Sequence, residues 1–456
     1  MKKHITIIAL LPLLCQTMAV AQPDSTLVEH KTIWNTTQAE AWKNPALYGK
    51  AFTLPYSELA LSLDYDKQTT AFVLQQGTGH TLYNIEANTF LRMSDNAAVW
   101  GKASYMNGVA RNIRFSSVAD YELLEPYILA DTDGGKTKRE RYVFEGGYAT
   151  QLDKWLIGAE MLFRAEHEYR TYDPRMRAIV TDLTLRAGAA YQTSAYNWGA
   201  AAQLNIYKQT ESVKFMREVG ALTEYQMTGL GTIYARFSGE VNNLYFKGGG
   251  LQLLLNAQPR AQQGLFGNLS LGSHHYERVA ASLNSLPLTK LYRDELHLQA
   301  GWKQQKNTDM AFFLDAKLTK RAGNENIVGS SLSNNYSILA TLTMYKNAIT
   351  DINFNALYGR NGHTDWHVQL KGGYLKNNEK YMEPKREIDY SQLYTQLNGQ
   401  YICQLGKQTT LTCQLQGGFF KNLDSKMNIP VVNTEPSLLS MLNHNYKYLK
   451  ADNYSA

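Results

Sequence analysis

Twelve charged side chains and two histidines recur at a spacing that could do chemistry. Glu86, Lys102, Glu145, Glu160, Arg164, Asp182, Arg186, Glu295, Lys303, Asp315, Lys317 and Lys371, with His297 and His367, each alternate with apolar neighbours. In an extended strand successive side chains point to opposite faces, so all fourteen are predicted to share the polar face of one sheet. Enclosed together, they could pair and brace an interior, or line a pore with a transverse field that sorts solutes by charge and size. Even mixing of the two signs favours bracing, because it builds no single-sign filter. His297 or His367 could serve as a general base beside a serine, but the sequence places no serine next to either.

Other clusters read as local structure. "DTDGG" at Asp131 to Gly135 opens like a calcium loop, yet Tyr142 stands where the acidic ligand at position twelve is required. An Asx-type turn in an exposed loop is the expectation. "EHE" at Glu166 to Glu168 offers three cation ligands, but alternation sends His167 to the face opposite the two glutamates. An exposed charged loop is expected there, and "HHY" at His274 to Tyr276 fails on the same ground. Beyond residue 21 there is no HExxH, GxSxG, GxxxxGK[ST] or CxxC. Neither an enzyme nor a bound cofactor is predicted.

The elements that must position these residues are strands. In "LYTQLNGQYICQLGKQTTLTCQLQG", Leu393, Leu397, Tyr401 and Cys403 alternate with Gln396, Asn398, Gln400 and Gln404, and the pattern resumes after a short "GKQ" connection. This is a β-hairpin with one apolar and one amide-rich face. The same period recurs in "ELALSLDY", "YNIEANTFL", "WLIGAEMLFR", "TDLTLRAGAAY", "ELHLQAGWK", "FFLDAKLT" and "WHVQLKGGY". Each strand is read as about 9 to 12 residues, enough when tilted to cross a bilayer. Short connections ("SDN", "LDK", "TSAYN") alternate with long ones at residues 66–80, 107–140, 165–178 and 208–226. These features predict an all-β, transmembrane antiparallel β-barrel of roughly 14–18 strands, with short periplasmic turns and long extracellular loops. Alternation is less regular between residues 228 and 376, where "GLGTIYARFSGEVNNLYFKGGG" reads as part of a loop excursion or as a hairpin.

The first 21 residues read as an export signal, with Lys2 and Lys3, the apolar run "ITIIALLPLLC", and "AVA" before Gln22. Lipidation at Cys15 is the alternative, but Leu14 occupies the place of a small residue. Loss of two lysines reduces the formal charge of +6 to about +4. With no basic run, that is too little for nucleic acid. The mean hydropathy of −0.38 does not argue against a membrane, because barrel strands are half polar. Thirty tyrosines suit the girdles at a membrane–water interface. Cys403 and Cys413 fall on the apolar parity as small apolar residues, with a cross-strand disulfide as the alternative. Residues 22–55 lack alternation and are predicted to be a periplasmic segment or a lumen plug. Residues 56–456 are predicted to form the barrel, whose final strand is missing or atypical, since "HNYKYLKADNYSA" carries no closing aromatic.

Four stretches, "AWKNPALYG", "DYELLEPYILADTDGG", "ERYVFEGGYA" and "YRTYDPRMR", together resemble an uncharacterised family of outer-membrane β-barrel proteins from Bacteroidota. "NPA" at Asn44 to Ala46 is also similar to the start of fatty-acid-transporter-like barrels. The first resemblance implies a barrel in the outer membrane of a Gram-negative bacterium, surrounded by outer-membrane lipids, and it implies no reaction or substrate. The expected function is to pass or bind a small solute, as a porin-like or substrate-specific channel. The alternative is a sealed barrel that acts as a surface scaffold or as partner of a lipoprotein or uptake complex.

Overall fold

The computed structural model describes residues 25–216, 224–237, 243–261, 263–306, 308–332, 335–360, 365–406, 409–431 and 434–455. The export signal and part of the 208–226 connection lie outside the described residues. The wall begins with β1 (Tyr56–Tyr65), β2 (His80–Ser94) and β3 (Ala97–Ile113). A short β4 (Leu129–Asp131) leaves it, and β5 (Gly135–Leu152), β6 (Trp155–Tyr169), β7 (Arg175–Gln192) and β8 (Tyr196–Lys214) resume it. Two more short strands, β9 (Glu224–Gly229) and β10 (Thr232–Ile233), leave it again. The wall continues through β11 (Asn243–Pro259), β12 (Gln263–Ala280), β13 (Leu286–Gln305), β14 (Asp309–Leu332) and β15 (Asn335–Arg360). It ends with β16 (Asp365–Tyr381), β17 (Arg386–Gln404), β18 (Thr410–Asn428) and the three-residue β19 (Asn453–Ser455). These wall strands form one sixteen-stranded sheet in chain order.

Leu59, Ile157, Leu204, Leu253, Phe354 and Leu397, spread around the wall, all point outward and are exposed. Along β6 to β8 the alternate residues are buried or half-buried. A continuous apolar exterior over a polar inner face is the arrangement of a transmembrane barrel and not of two stacked sheets with a leucine core.

Most strands are longer than the sequence pattern, from 15 residues in β2 to 26 in β15. Alternation marks only the part that faces lipid, while backbone pairing runs on past it. Residues 165–178 are therefore no long loop; β6 and β7 are joined by residues 170–174 alone. The irregular "GLGTIYARF…" stretch divides, its first half forming β10 and its second half β11. Cys403 and Cys413 are not joined in a disulfide; the register sets Cys413 opposite Tyr401 and Cys403 opposite Leu411.

Two bodies of chain occupy the interior. One is the N-terminal segment, with α1 (Ser25–Lys31), α2 (Ala39–Trp42) and α3 (Pro45–Tyr48), which lies across the short-turn end. The other fills the long-loop end with α4 (Tyr121–Leu124), the small antiparallel sheet β10–β9–β4, and α5 (Pro436–Leu449). The main hydrophobic core lies inside the barrel, at this second end. Tyr127, Ile128, Tyr225 and Met227 pack there against Tyr207, Phe246 and Tyr345 of the wall and Leu438, Met441 and Leu442 of α5.

Candidate functional site

The floor is built by the N-terminal segment. Asn44 caps α3 by accepting from the Ala46 amide at 3.1 Å, and its own amide donates to Asn256 Oδ1 at 3.2 Å. Asn256 donates to Asn268 at 3.0 Å, and Asn268 to Gln299 at 2.9 Å, so an amide chain crosses the wall from β11 to β13. The approach requires glycine in the wall: a Cβ at Gly158 would stand 2.6 Å from the Ala46 nitrogen, and one at Gly188 would collide with the Asn44 side chain. Trp34 is buried among Phe266, Ala311, Phe313 and Leu357. Phe90, on the otherwise polar parity of β2, turns inward to meet Phe52 with ring centroids 5.2 Å apart.

Ion contacts fasten the same segment. His297 Nδ1 lies 3.1 Å from Glu40, and its Nε2 lies 3.1 Å from Asp315. Burial alone would raise the Glu40 carboxyl, but hydrogen bonds from His297 and Lys43 outweigh it and hold it at about 2, below its ordinary 4.5. The Glu40 contribution to docking is thus complete above pH 4.5, shrinks below it, and is lost as pH falls through about 2. Lowering the pH across that window should increase amide exchange in residues 25–54. Glu40→Gln should remove this pH-dependent part, and an unchanged acid profile in the variant would show that Glu40 is not the titrating latch.

The fourteen inward candidates do not gather at one point. Lys102 pairs with Glu86 at 2.7 Å and faces Glu145 across the register. Arg186 pairs with Glu160 at 2.5 Å. Arg164 bonds Asp182 at 3.2 Å, Glu166 at 2.8 Å and Asp120 of the long-loop body at 2.7 Å. Lys317 lies 3.6 Å from Glu295. Lys303 donates to Gln258 at 2.8 Å, and Lys371 sits 5.5 Å over the Tyr394 ring. His367 has Asp309 at 2.9 Å on one nitrogen, with Asp365 at 3.1 Å and the Thr32 hydroxyl at 3.2 Å on the other. Thr32 and His367 resemble a hydroxyl–imidazole pair, but both are buried and the hydroxyl also accepts from the Trp34 amide. No open face remains there for a substrate, and carboxylates already hold both ring nitrogens. Three of these residues, Arg164, His297 and His367, tie the internal bodies to the wall.

Two expectations about loops are corrected. Glu166 and Glu168 are not in an exposed loop: both lie in β6, each 2 % exposed. Arg141 bonds Glu166 at 2.9 Å, and Arg139 bonds Glu168 at 2.6 Å. Asp131 does make the Asx-type contact with the Gly134 amide, but it is fully buried, with Arg170 at 2.7 Å and Ser117 at 2.9 Å.

Beneath the long-loop mouth is a cavity of about 450 Å³, bounded by α4, the β9–β10 turn, α5 and the wall. Gln76, Glu122, Glu125, Arg293, Arg321, Asn377 and Glu379 line it, with Met227, Leu230 and Met441 supplying an apolar side. Arg321 donates to Glu125 at 3.0 Å. Burial first, then the nearby Glu125, pushes the Tyr121 hydroxyl well above its ordinary value, so it remains a donor at neutral pH. At the other end a hollow of about 370 Å³ lies beside the floor, lined by Gln38, Lys50, Gln151, Asn197, Gln258 and Lys303. Sequence reasoning missed the polar cavity residues because Gln76, Glu122 and Glu125 sit on connections without alternation, while Arg293, Arg321, Asn377 and Glu379 lie on β13, β14 and β16 beyond the alternating runs. The α5 spacing Leu438, Met441, Leu442 and Asn445 was the one readable signal.

Wall and contents together define a membrane-spanning β-barrel with both ends occupied by its own chain. Its family is one of unknown function, DUF6850, to which the chain belongs, with residues 45–456 matched. No curated protein matches it. Solved structures similar to it include the ferric enterobactin receptor PfeA, with 8 % identity, TM-score 0.36, and 82 % of this chain and 71 % of that one covered. The ferric preacinetobactin receptor BauA from Acinetobacter baumannii gives 9 % identity, TM-score 0.36, and 80 % and 70 % coverage. The copper transporter OprC gives 13 % identity, TM-score 0.32, and 80 % and 69 % coverage. None of these likenesses bears on what this chain does.

Proposed function

We propose that this protein is an outer-membrane barrel that binds a small solute beneath its long-loop mouth and passes it when the internal segments shift. The observation that supports the reading is the cavity of about 450 Å³ with convergent donors, acceptors and an apolar side. Its size falls among small-molecule sites, about 300–1,000 Å³. A solute leaving it towards the short-turn end meets the ion-paired belt and then the floor, so passage requires the floor to loosen.

Liposome swelling with a panel of small solutes tests this. The double variant Trp34→Ala/Asn44→Ala should admit solutes about tenfold faster or more, since losing a buried tryptophan costs about 3–5 kcal/mol and each 1.4 kcal/mol is a factor of ten. A variant that folds in the membrane yet stays as impermeable as the native barrel to every solute would overturn passage. It would favour the second reading, a sealed scaffold, whose support is the apolar core that binds the long-loop body to the wall.

A further inference from the structure

The cavity beneath the long-loop mouth mixes both signs of charge, but the hollow beside the floor carries one. Lys50, Arg260 and Lys303 line it, and no carboxylate does. Among the described residues, none of the three makes an ion pair. Lys50 donates to the Asp95 carbonyl at 3.0 Å, and Arg260 donates to the Thr193 carbonyl at 2.7 Å. Backbone oxygens satisfy those donors without cancelling the charge. Lys303 is the most confined of the three, only 7 % exposed. Its ammonium has three donors. One reaches Gln258 Oε1 at 2.8 Å, and the Phe266 ring centroid lies 5.1 Å away. Taking an ammonium out of water without a counter-ion is strongly unfavourable. One amide oxygen and one ring face offset little of that cost.

The hollow lies where two parts of the chain meet. Gln38, Trp42 and Lys50 come from the N-terminal segment. Gln151, Asn197 and Lys303 come from the short-turn ends of β5, β8 and β13, and Arg260 follows β11. Arg260 is exposed and forms the rim, while buried Lys303 forms the base, so positive charge leads inward from the short-turn side. The remaining polar lining is amides and the Trp42 indole, with no acidic side chain to repel an anion. A cleft lined by one sign of charge focuses its field and concentrates ions of the other sign. At about 370 Å³ the space suits a small solute.

We propose that this hollow is a binding site for a small oxyanion, a carboxylate or phosphate compound that enters from the short-turn side. Lys303 holds the anion at the base, and Lys50 and Arg260 hold it at the rim. An occupant touches both the N-terminal segment and the wall, so its binding also strengthens the docking of the floor. Such a site works in a sealed barrel as well as in a conducting one.

Calorimetric titration of the full-length barrel in a non-ionic detergent tests this with inorganic phosphate, glycerol 3-phosphate and succinate, against neutral glycerol. The expected result is saturable one-to-one binding of at least one anion and none of glycerol. Binding of succinate alone would make the ligand class carboxylate, and binding of the phosphates alone would make it phosphate. Lys303→Met should weaken the bound anion roughly ten- to hundred-fold, the range for losing one hydrogen bond to a charged group. Lys154→Met removes an equal charge from an exposed turn at the same end and should leave binding unchanged. The anion should also slow amide exchange in residues 25–54. Where Lys303→Met fails to fold, Arg260→Gln at the exposed rim takes its place, with several-fold weaker binding expected and native affinity counting against the site. No saturable binding of any of the three anions at millimolar concentration would overturn the proposal. Native affinity in folded Lys303→Met, or binding that leaves exchange in residues 25–54 unchanged, would overturn it too, by placing the anion elsewhere.

Discussion

An arginine in place of Leu397 should sharply reduce the folded fraction of the barrel in lipid vesicles. Leu397 faces outward at mid-wall and lies opposite Leu370 on β16. A charge at the lipid-facing midplane costs about 2–4 kcal/mol, so the folding equilibrium should fall by roughly thirty- to several-hundred-fold. Gln396→Arg, one residue earlier, places the same charge inside. Its register partner is Lys371, so the substitution carries some like-charge repulsion, about 0.2–1 kcal/mol. The two costs differ enough for a urea titration to separate them. Equal midpoints for the two variants would mean that the faces are assigned the wrong way round.

That contrast rests on the part of the fold most legible in the sequence. Leu397 and Gln396 could be assigned to opposite faces from a period of two alone, because hydrocarbon on one side and a polar interior on the other impose it on every lipid-facing stretch. Legibility ends where a strand has no lipid face. All six residues of β9, "EYQMTG", are buried on both sides, so no alternation marks the segment as a strand. The "NPA" turn is readable as a local cap, yet the partner of Asn44 is Asn256, 212 residues away, and nothing local announces it. Phe90 shows the converse: its inward parity was evident, but a reason for a phenylalanine there appears only once Phe52 is beside it. The same holds for the candidate charges. Parity could place Arg164 and His297 inside, but that they grip the internal bodies depends on Asp120 and Glu40, which lie outside any alternating run.

The ceiling should be as sensitive as the floor, and Arg170 is where to break it. Its guanidinium donates to Asp131 at 2.7 Å and to the Ser116 carbonyl at 2.9 Å, and neither charged side chain is exposed. Asp131 ends β4, whose pairing with β9 holds the inserted sheet together. Removing one partner of a buried ion pair costs about 3–5 kcal/mol, because the other charge remains without compensation. Arg170→Met should therefore raise the undocked population of the long-loop body by roughly a hundred- to several-thousand-fold. Limited proteolysis should then cut between residues 114 and 134, while the wall, held by its own backbone pairing, stays resistant. Removing the stranded charge as well, in Arg170→Met/Asp131→Asn, should restore much of the protection, since what destabilises the single variant is the uncompensated carboxylate and not the absence of arginine. Equal cleavage in single and double variants would instead place the effect in the lost bonds to Ser116, and native-like resistance in both would show that the ceiling is held by its apolar core alone.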